Sequence, residues 1–261
     1  MQLSDVMEGM HRDGDDVVAN VGEEWLQGRS VFGGLQAAIA VAAMRTQVDA
    51  ALPLRTLQVT FVAPVPAGGV RARAAVLRRG GSATQVEARI VAGDQVLLLA
   101  VGIFGSARAS VVRHAPAAPG AAGDGDLRMP WVPGITPAFT QQFDARWRSG
   151  GLPFSGTPAR EHVIELALKD RGPVTESHVL AFADFAPPVA LSMLSKVAPG
   201  SSMTWMLDFL RTDFATLPLS GWRVDARLDA AADGYTSQSL LVSAPDGSPV
   251  ALGSQNMVVF G

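Results

Sequence analysis

The chain contains no cysteine among its 261 residues, which excludes disulfides, thiolate metal sites and a cysteine nucleophile together. Its four histidines, His11, His114, His162 and His178, fall at no metal-ligand spacing and no HExxH occurs, so no metal and no cofactor is expected. Charge is sparse: Asp, Glu, Lys and Arg make up 17% of the residues, the formal net charge is -3, and no block of Lys or Arg occurs. A nucleic-acid or membrane-surface partner therefore has no electrostatic footprint. Long apolar runs are missing as well. The most apolar helical candidate, GGLQAAIAVAAM at 33–44, is too short to span a bilayer and carries Gln36. The acidic opening MQLSDVMEGMHRDGDD lacks the basic and apolar regions of a signal peptide. A soluble, cytoplasmic protein is expected. A GxSxG nucleophile elbow is also absent.

What is present is core-forming material, with 48% hydrophobic residues. The Ala-rich segment 33–48 favours a helix, entered through Gly33-Gly34. RTLQVTFVAPV (55–65), VRARAAVLRR (70–79), ATQVEARIVAG (83–93) and QVLLLAVGIFG (95–105) then read as four successive strands, with a hairpin signal at Gly80-Gly81. Residues 107–135 are rich in Ala, Pro and Gly with little periodicity and read as a linker. Beyond it, FTQQFDARWRSG and REHVIELALKDRG read as strands and SHVLAFADFAPPVALSML (177–194) as a broken helical segment. MTWMLDFLRTDF, WRVDARLDA, YTSQSLLVSAP and PVALGSQNMVVFG then repeat the meander. Thr56 and Phe61 match Thr204 and Phe209, Gly81 matches Gly234, and Gly93 matches Gly247. The expected architecture is α+β: a helix-plus-antiparallel-sheet unit over 1–106, the linker 107–135, and a second unit over 136–261, the two sheets able to pair edge to edge.

One residue stands out against this pattern. FADFAPPVAL, at 182–191, places the carboxylate of Asp184 in an apolar run ending in two prolines. A buried, unpaired carboxylate costs several kcal/mol, so Asp184 needs water or partners from elsewhere in the chain. Read alone it is a helix cap. Pro187-Pro188 breaks or restarts the helix beside it.

The order of elements, together with VFGGLQAAIAVAAM, LRTLQVTFVAPVP, FADFAPPVAL, SMTWMLDF and VALGSQNMVVFG, resembles the acyl-CoA thioesterase II family of double hotdog proteins. The resemblance covers roughly residues 20–106 and 160–261. It implies two tandem hotdog units, each a long helix wrapped by an antiparallel sheet, which commonly associate into homo-oligomers, and hydrolysis of an acyl-CoA to free acid and coenzyme A. It further implies an activated water held by Asp184, Thr204 and Gln255, with the first unit offering only Leu35, Thr56 and Val101 at the corresponding places. Those residue types suit the reaction: an ionised Asp takes a proton, and amide and hydroxyl orient water. Gly33 and Gly34 would let the thioester approach the backbone, although a simple helix start explains them equally well. Arg78 and Arg79, beside Gly80-Gly81, would contact coenzyme A phosphates, or be solvated hairpin arginines. Two other readings remain open. One is an acyl-CoA or apolar-ligand binding protein without turnover. The other is a hotdog hydratase, which resembles proteins with a paired Asp and His near the second helix, whereas here no His follows Asp184.

Overall fold

The computed structural model describes residues 1–260; Gly261, the last residue of the expected second unit, lies outside them. In chain order the elements are helix α1 (Leu3–Glu8), strands β1 (His11–Asp13), β2 (Asp16–Val21), β3 (Leu26–Gln27) and β4 (Ser30–Val31), helix α2 (Gly33–Arg45), and strands β5 (Leu54–Phe61), β6 (Gly68–Arg79), β7 (Ala83–Ala92) and β8 (Gln95–Gly105). After a long connector come β9 (Leu127–Arg128), β10 (Phe143–Ser149), β11 (Glu161–Leu168), helix α3 (Glu176–Ala183), and β12 (Gly200–Phe209), β13 (Ser220–Ala232), β14 (Tyr235–Ser243) and β15 (Pro249–Val259). Among the described residues no helix is long and apolar enough to cross a membrane.

Thirteen strands form one antiparallel sheet in the order β1-β2-β6-β7-β8-β5-β12-β15-β14-β13-β11-β10-β9. Outward from the centre five strands correspond on each side, β5-β8-β7-β6-β2 and β12-β15-β14-β13-β11: the edge strand of one meander, β5, meets the edge strand of the other, β12. They pair antiparallel from Thr56 opposite Asp208 to Thr60 opposite Thr204, with Gln58 facing Met206 at the middle. That pairing removes two exposed edges at once. The hairpins turn where glycine permits: Gly93, Gly234 and Gly247 all have positive φ, and Asp233 beside Gly234 does too, as a tight two-residue turn requires.

α2 is apolar around nearly its whole circumference and is buried from Gly33 to Val41 and again at Ala43 and Met44, as suits a helix enclosed by a sheet. Alanine keeps it slim. At Gly102 of β8 a Cβ would come within 2.6 Å of the Met44 sulfur, so the sheet yields room where the helix is bulky. α3 begins at Thr175, whose side chain takes part in a capping box with His178. His178 in turn reaches Asp170 at 3.1 Å, and Asp170 also accepts from the Ser4 backbone N–H at 2.9 Å, so that α1 is tied to the start of α3.

Two expectations are corrected. The second unit lacks a long helix: α3 has 8 residues and stops at Asp184, because Pro187 and Pro188 cannot extend the hydrogen-bond ladder, and the chain resumes as a 3-10 turn over Val189–Met193. The segment read as a strand from Phe139 opens instead with a 3-10 turn, Ala138–Gln142, and becomes extended only at Phe143. Residues 1–32 add α1 and four strands ahead of α2. The expected linker holds one short strand, β9, paired with β10.

α2 and α3 cross at Gly34, where a Cβ would lie 2.9 Å from the backbone oxygen of Leu180 and 2.8 Å from the Phe32 ring. Gly34→Ala is therefore expected to lower stability by about 1–3 kcal/mol through overpacking, measured as a drop in the urea midpoint. An unchanged midpoint would mean that the two helices are free to separate.

Candidate active site

Asp184 sits at the C-terminal end of α3, its N–H bonded to the Leu180 carbonyl at 3.2 Å. Its own helix opposes its charge, since the C-terminal end of a helix is negative. The other helix favours it. The carboxylate lies beside the start of α2, so close to Gly33 that a Cβ there would fall 2.6 Å from Oδ2 and 3.1 Å from the Phe61 ring. Only glycine leaves that room. Burial pushes the Asp184 carboxyl up to about 7, while the Gln255 amide and the Gly34 backbone N–H draw it down.

Gln255, on β15, is 2% exposed and donates Nε2 to Asp184 Oδ1 at 2.9 Å and to Ser202 Oγ at 3.1 Å. Its Oε1 accepts from Nε2 of Gln238, on the neighbouring strand β14, at 3.3 Å. Gln238 itself accepts the backbone N–H of Val189 at 3.0 Å. A cleft of about 220 Å³ opens over the carboxylate, with Arg29, Gly33, Phe61, Pro64 and Ser202 in its wall.

The structure thus brings Asp184, Gln255, Gly33 and Gly34 together and leaves Thr204 apart. Thr204 is exposed and accepts from Asn256 at 3.2 Å on the outer face of the sheet. Strand alternation explains this: Trp205, Leu207 and Phe209 point to the core, so Thr204 points away. Between Ser202 and Thr204 the pairing with β15 slips by one residue. This bulge turns Ser202 inward, opposite Met257, and Ser202 occupies the hydroxyl position beside Gln255. Its signal was the Ser201-Ser202 pair just upstream of an apolar alternation. Gln238 was legible too: it shares strand parity with the buried Leu240 and Val242.

Arg78 and Arg79 do not reach the cleft. Both are exposed at the far end of β6, and Arg79 donates to the Gln47 carbonyl beyond the C-terminal end of α2, roughly 20 Å along that helix from Gly33. Among the described residues no group of three or more His, Asp or Glu side chains is placed to hold a metal.

Two family models match the sequence: the N-terminal domain of acyl-CoA thioesterase over residues 21–105 and the C-terminal domain over residues 113–259. The chain belongs to the acyl-CoA thioesterase family. Solved structures of the same fold include a conserved protein of unknown function with a hotdog fold from Alicyclobacillus acidocaldarius (20% identity, TM-score 0.87, covering 99% of this chain and 98% of that one). An acyl-CoA thioesterase II, TesB2, from Mycobacterium marinum is similar over 99% and 98% of the two chains (15% identity, TM-score 0.71). The dehydratase domain of PpsC from Mycobacterium tuberculosis, solved with C12:1-CoA, is similar over 96% and 97% (14% identity, TM-score 0.59). Comparison with curated proteins finds no match.

The two halves of the chain are unequal where the candidate site lies. Gln255 stands opposite Trp205 and next to Gln238. In the first half Leu57, the match to Trp205, stands opposite Gly102, and Gly102 stands next to Val86. The counterpart of Gln255 is thus the inward Gly102 rather than the expected, outward Val101.

The raised Asp184 carboxyl also carries a stability consequence. In the unfolded chain the group ionises near 3.8 and in the folded protein near 7, so folded molecules bind the extra proton between those values and stability falls as pH rises across that window. Asp184→Asn mimics the protonated form. Its unfolding free energy, measured by urea titration, is expected to exceed that of the parent by a margin that grows from pH 4 to about 7 and then levels, on the order of a few kcal/mol. A margin independent of pH would show that the carboxylate is not desolvated.

Proposed function

We propose that this double hotdog protein is a thioester hydrolase that cleaves an acyl-CoA to free acid and coenzyme A with a water held by Asp184, Gln255 and Ser202. The observation that carries the reading is the pairing of a desolvated carboxylate with an amide donor at the floor of a cleft. Such a carboxylate, with its proton affinity raised toward neutrality, is suited to general-base work. Asp184 takes one proton from the water while Gln255 and Ser202 hold the site in shape, and the oxygen attacks the thioester carbonyl. The first-turn N–H of α2 at Gly33, which has no intrahelical acceptor, stabilises the developing oxyanion, while that of Gly34 steadies the Asp184 carboxylate. The tetrahedral intermediate collapses by breaking the carbon–sulfur bond, and the proton held by Asp184 passes to the departing thiolate.

The cleft wall is mixed, with Gln27, Ser30, Gln36, Ser201 and Ser202 on its polar side and an apolar strip that would receive an acyl group. Val31, Phe61, Val62, Ala63 and Pro64 line it, and Arg29 is the sole cation there. A hydratase reading, which pairs an aspartate with a histidine, gains nothing from His178, whose ring is engaged by Thr175 and Asp170.

The test is a panel of acyl-CoAs assayed with a thiol reagent. Asp184→Asn is expected to lower kcat on the order of 100-fold or more with KM little changed. Because the base must be ionised, parent kcat/KM should climb with pH through about 7 and then level. A folded Asp184→Asn protein that hydrolyses its best acyl-CoA at the parent rate would sink the assignment, and acyl-CoA binding without coenzyme A release by the parent would make the protein a carrier.

A further inference from the structure

Two amide side chains meet in the sheet at full burial. Gln238 is 0% exposed and Gln255 2%, and they are direct partners on β14 and β15. An amide offers nearly the same shape in either of two orientations, with opposite polarity at its two ends. Nothing in the volume of the Gln255 pocket selects the one that turns Nε2 toward Asp184. Polarity must be imposed from a group that cannot reverse, and a backbone N–H is such a group.

The chain of bonds supplies one. The Val189 N–H can only donate, so the Gln238 oxygen faces it, at 3.0 Å. The Gln238 nitrogen is then left facing β15, where it donates to the Gln255 oxygen at 3.3 Å. The Gln255 nitrogen in turn must face Asp184 and Ser202. Reversing Gln255 would set oxygen against the Asp184 carboxylate and nitrogen against nitrogen at Gln238. Val189 is available because it follows the Pro187-Pro188 break and opens a 3-10 turn, at whose start N–H groups lack internal acceptors.

We infer that Gln238 is a positioning residue of the hydrolytic site, which relays the polarity of the Val189 N–H through Gln255 to the catalytic carboxylate. The inference rests on the reading of Asp184 and Gln255 given under Proposed function. Gln238 touches neither the cleft nor the reacting atoms; it decides which end of Gln255 does. The first half of the chain, with Val86 and Gly102 at the matching places, has no such relay.

The experiment compares three variants with the parent on the best acyl-CoA. Gln238→Met keeps the length and removes both hydrogen bonds. Gln238→Glu, assayed at alkaline pH, keeps the acceptor for Val189 but offers Gln255 an oxygen, which invites its amide to turn. Asp184→Asn serves as the reference. Both Gln238 variants are expected to lose roughly 10-fold or more in kcat with KM within about twofold. In Gln238→Met the rising limb of kcat/KM should also move to higher pH, because the amide no longer steadies the Asp184 carboxylate; Arg29, the one other charged side chain lining the cleft, is unchanged. A merely structural role would lower the thermal midpoint and leave kcat per folded molecule and the limb in place, and that result in either variant overturns the inference. If Asp184→Asn is itself fully active, the parent reading fails instead, and the two failures are told apart.

Discussion

The antiparallel seam between β5 and β12 is the contact from which the rest of the molecule follows. It joins two half-sheets into one of thirteen strands and so obliges the helices lying on them to share one interior. α2 and α3 then meet so closely that Gly34 is needed at the crossing. The candidate site is a product of that meeting: the carboxylate comes from one half, and the helix start beside it from the other.

Within that frame the two halves divide the electrostatic work. α3 places Asp184 at its own negative end, which would expel the charge, and α2 offers its positive end, which holds it. Desolvation is the larger influence and raises the proton affinity of the group toward neutrality. The arrangement destabilises the folded chain above the carboxyl's ordinary range, a common feature of sites whose groups are tuned for chemistry.

Much of this was legible in the residues. Glycine-punctuated alternation marked the two meanders, and Ala-rich composition marked α2, because both signals are local. Asp184 and Gln255 were legible from a charge and an amide in otherwise apolar runs. Thr204 lies apart from that pair because a bulge of one residue, invisible in composition, decides which face a hydroxyl takes. Gln238 carries the inward parity of Leu240 and Val242, whereas Ser202 has the parity of the outward Thr204 and is brought inward only by the bulge. The long helix of the second half was implied by the resemblance, whereas the residues themselves already marked a break at Pro187-Pro188; the strands of residues 1–32 are short, β1 and β2 ending the large sheet and β3 and β4 pairing with each other. Arg78 and Arg79 were drawn to the site by charge alone, and nothing in a linear chain records that they lie beyond the opposite end of α2.

The segment joining the halves has a bearing on how the molecule is assembled. Between β8 and β10 it contributes one two-residue strand, β9, whereas β5 and β12 are paired along five residues and the helices are in van der Waals contact. The peptide link is thus one connection among several, and its last part, the 3-10 turn Ala138–Gln142, itself packs on the first half by stacking Phe139 on Phe32. Severed chains produced as two polypeptides would still present matching edges, each buried only by the other. The candidate site, built from α3 of one half and the start of α2 of the other, is in that sense an interface site carried within a single chain.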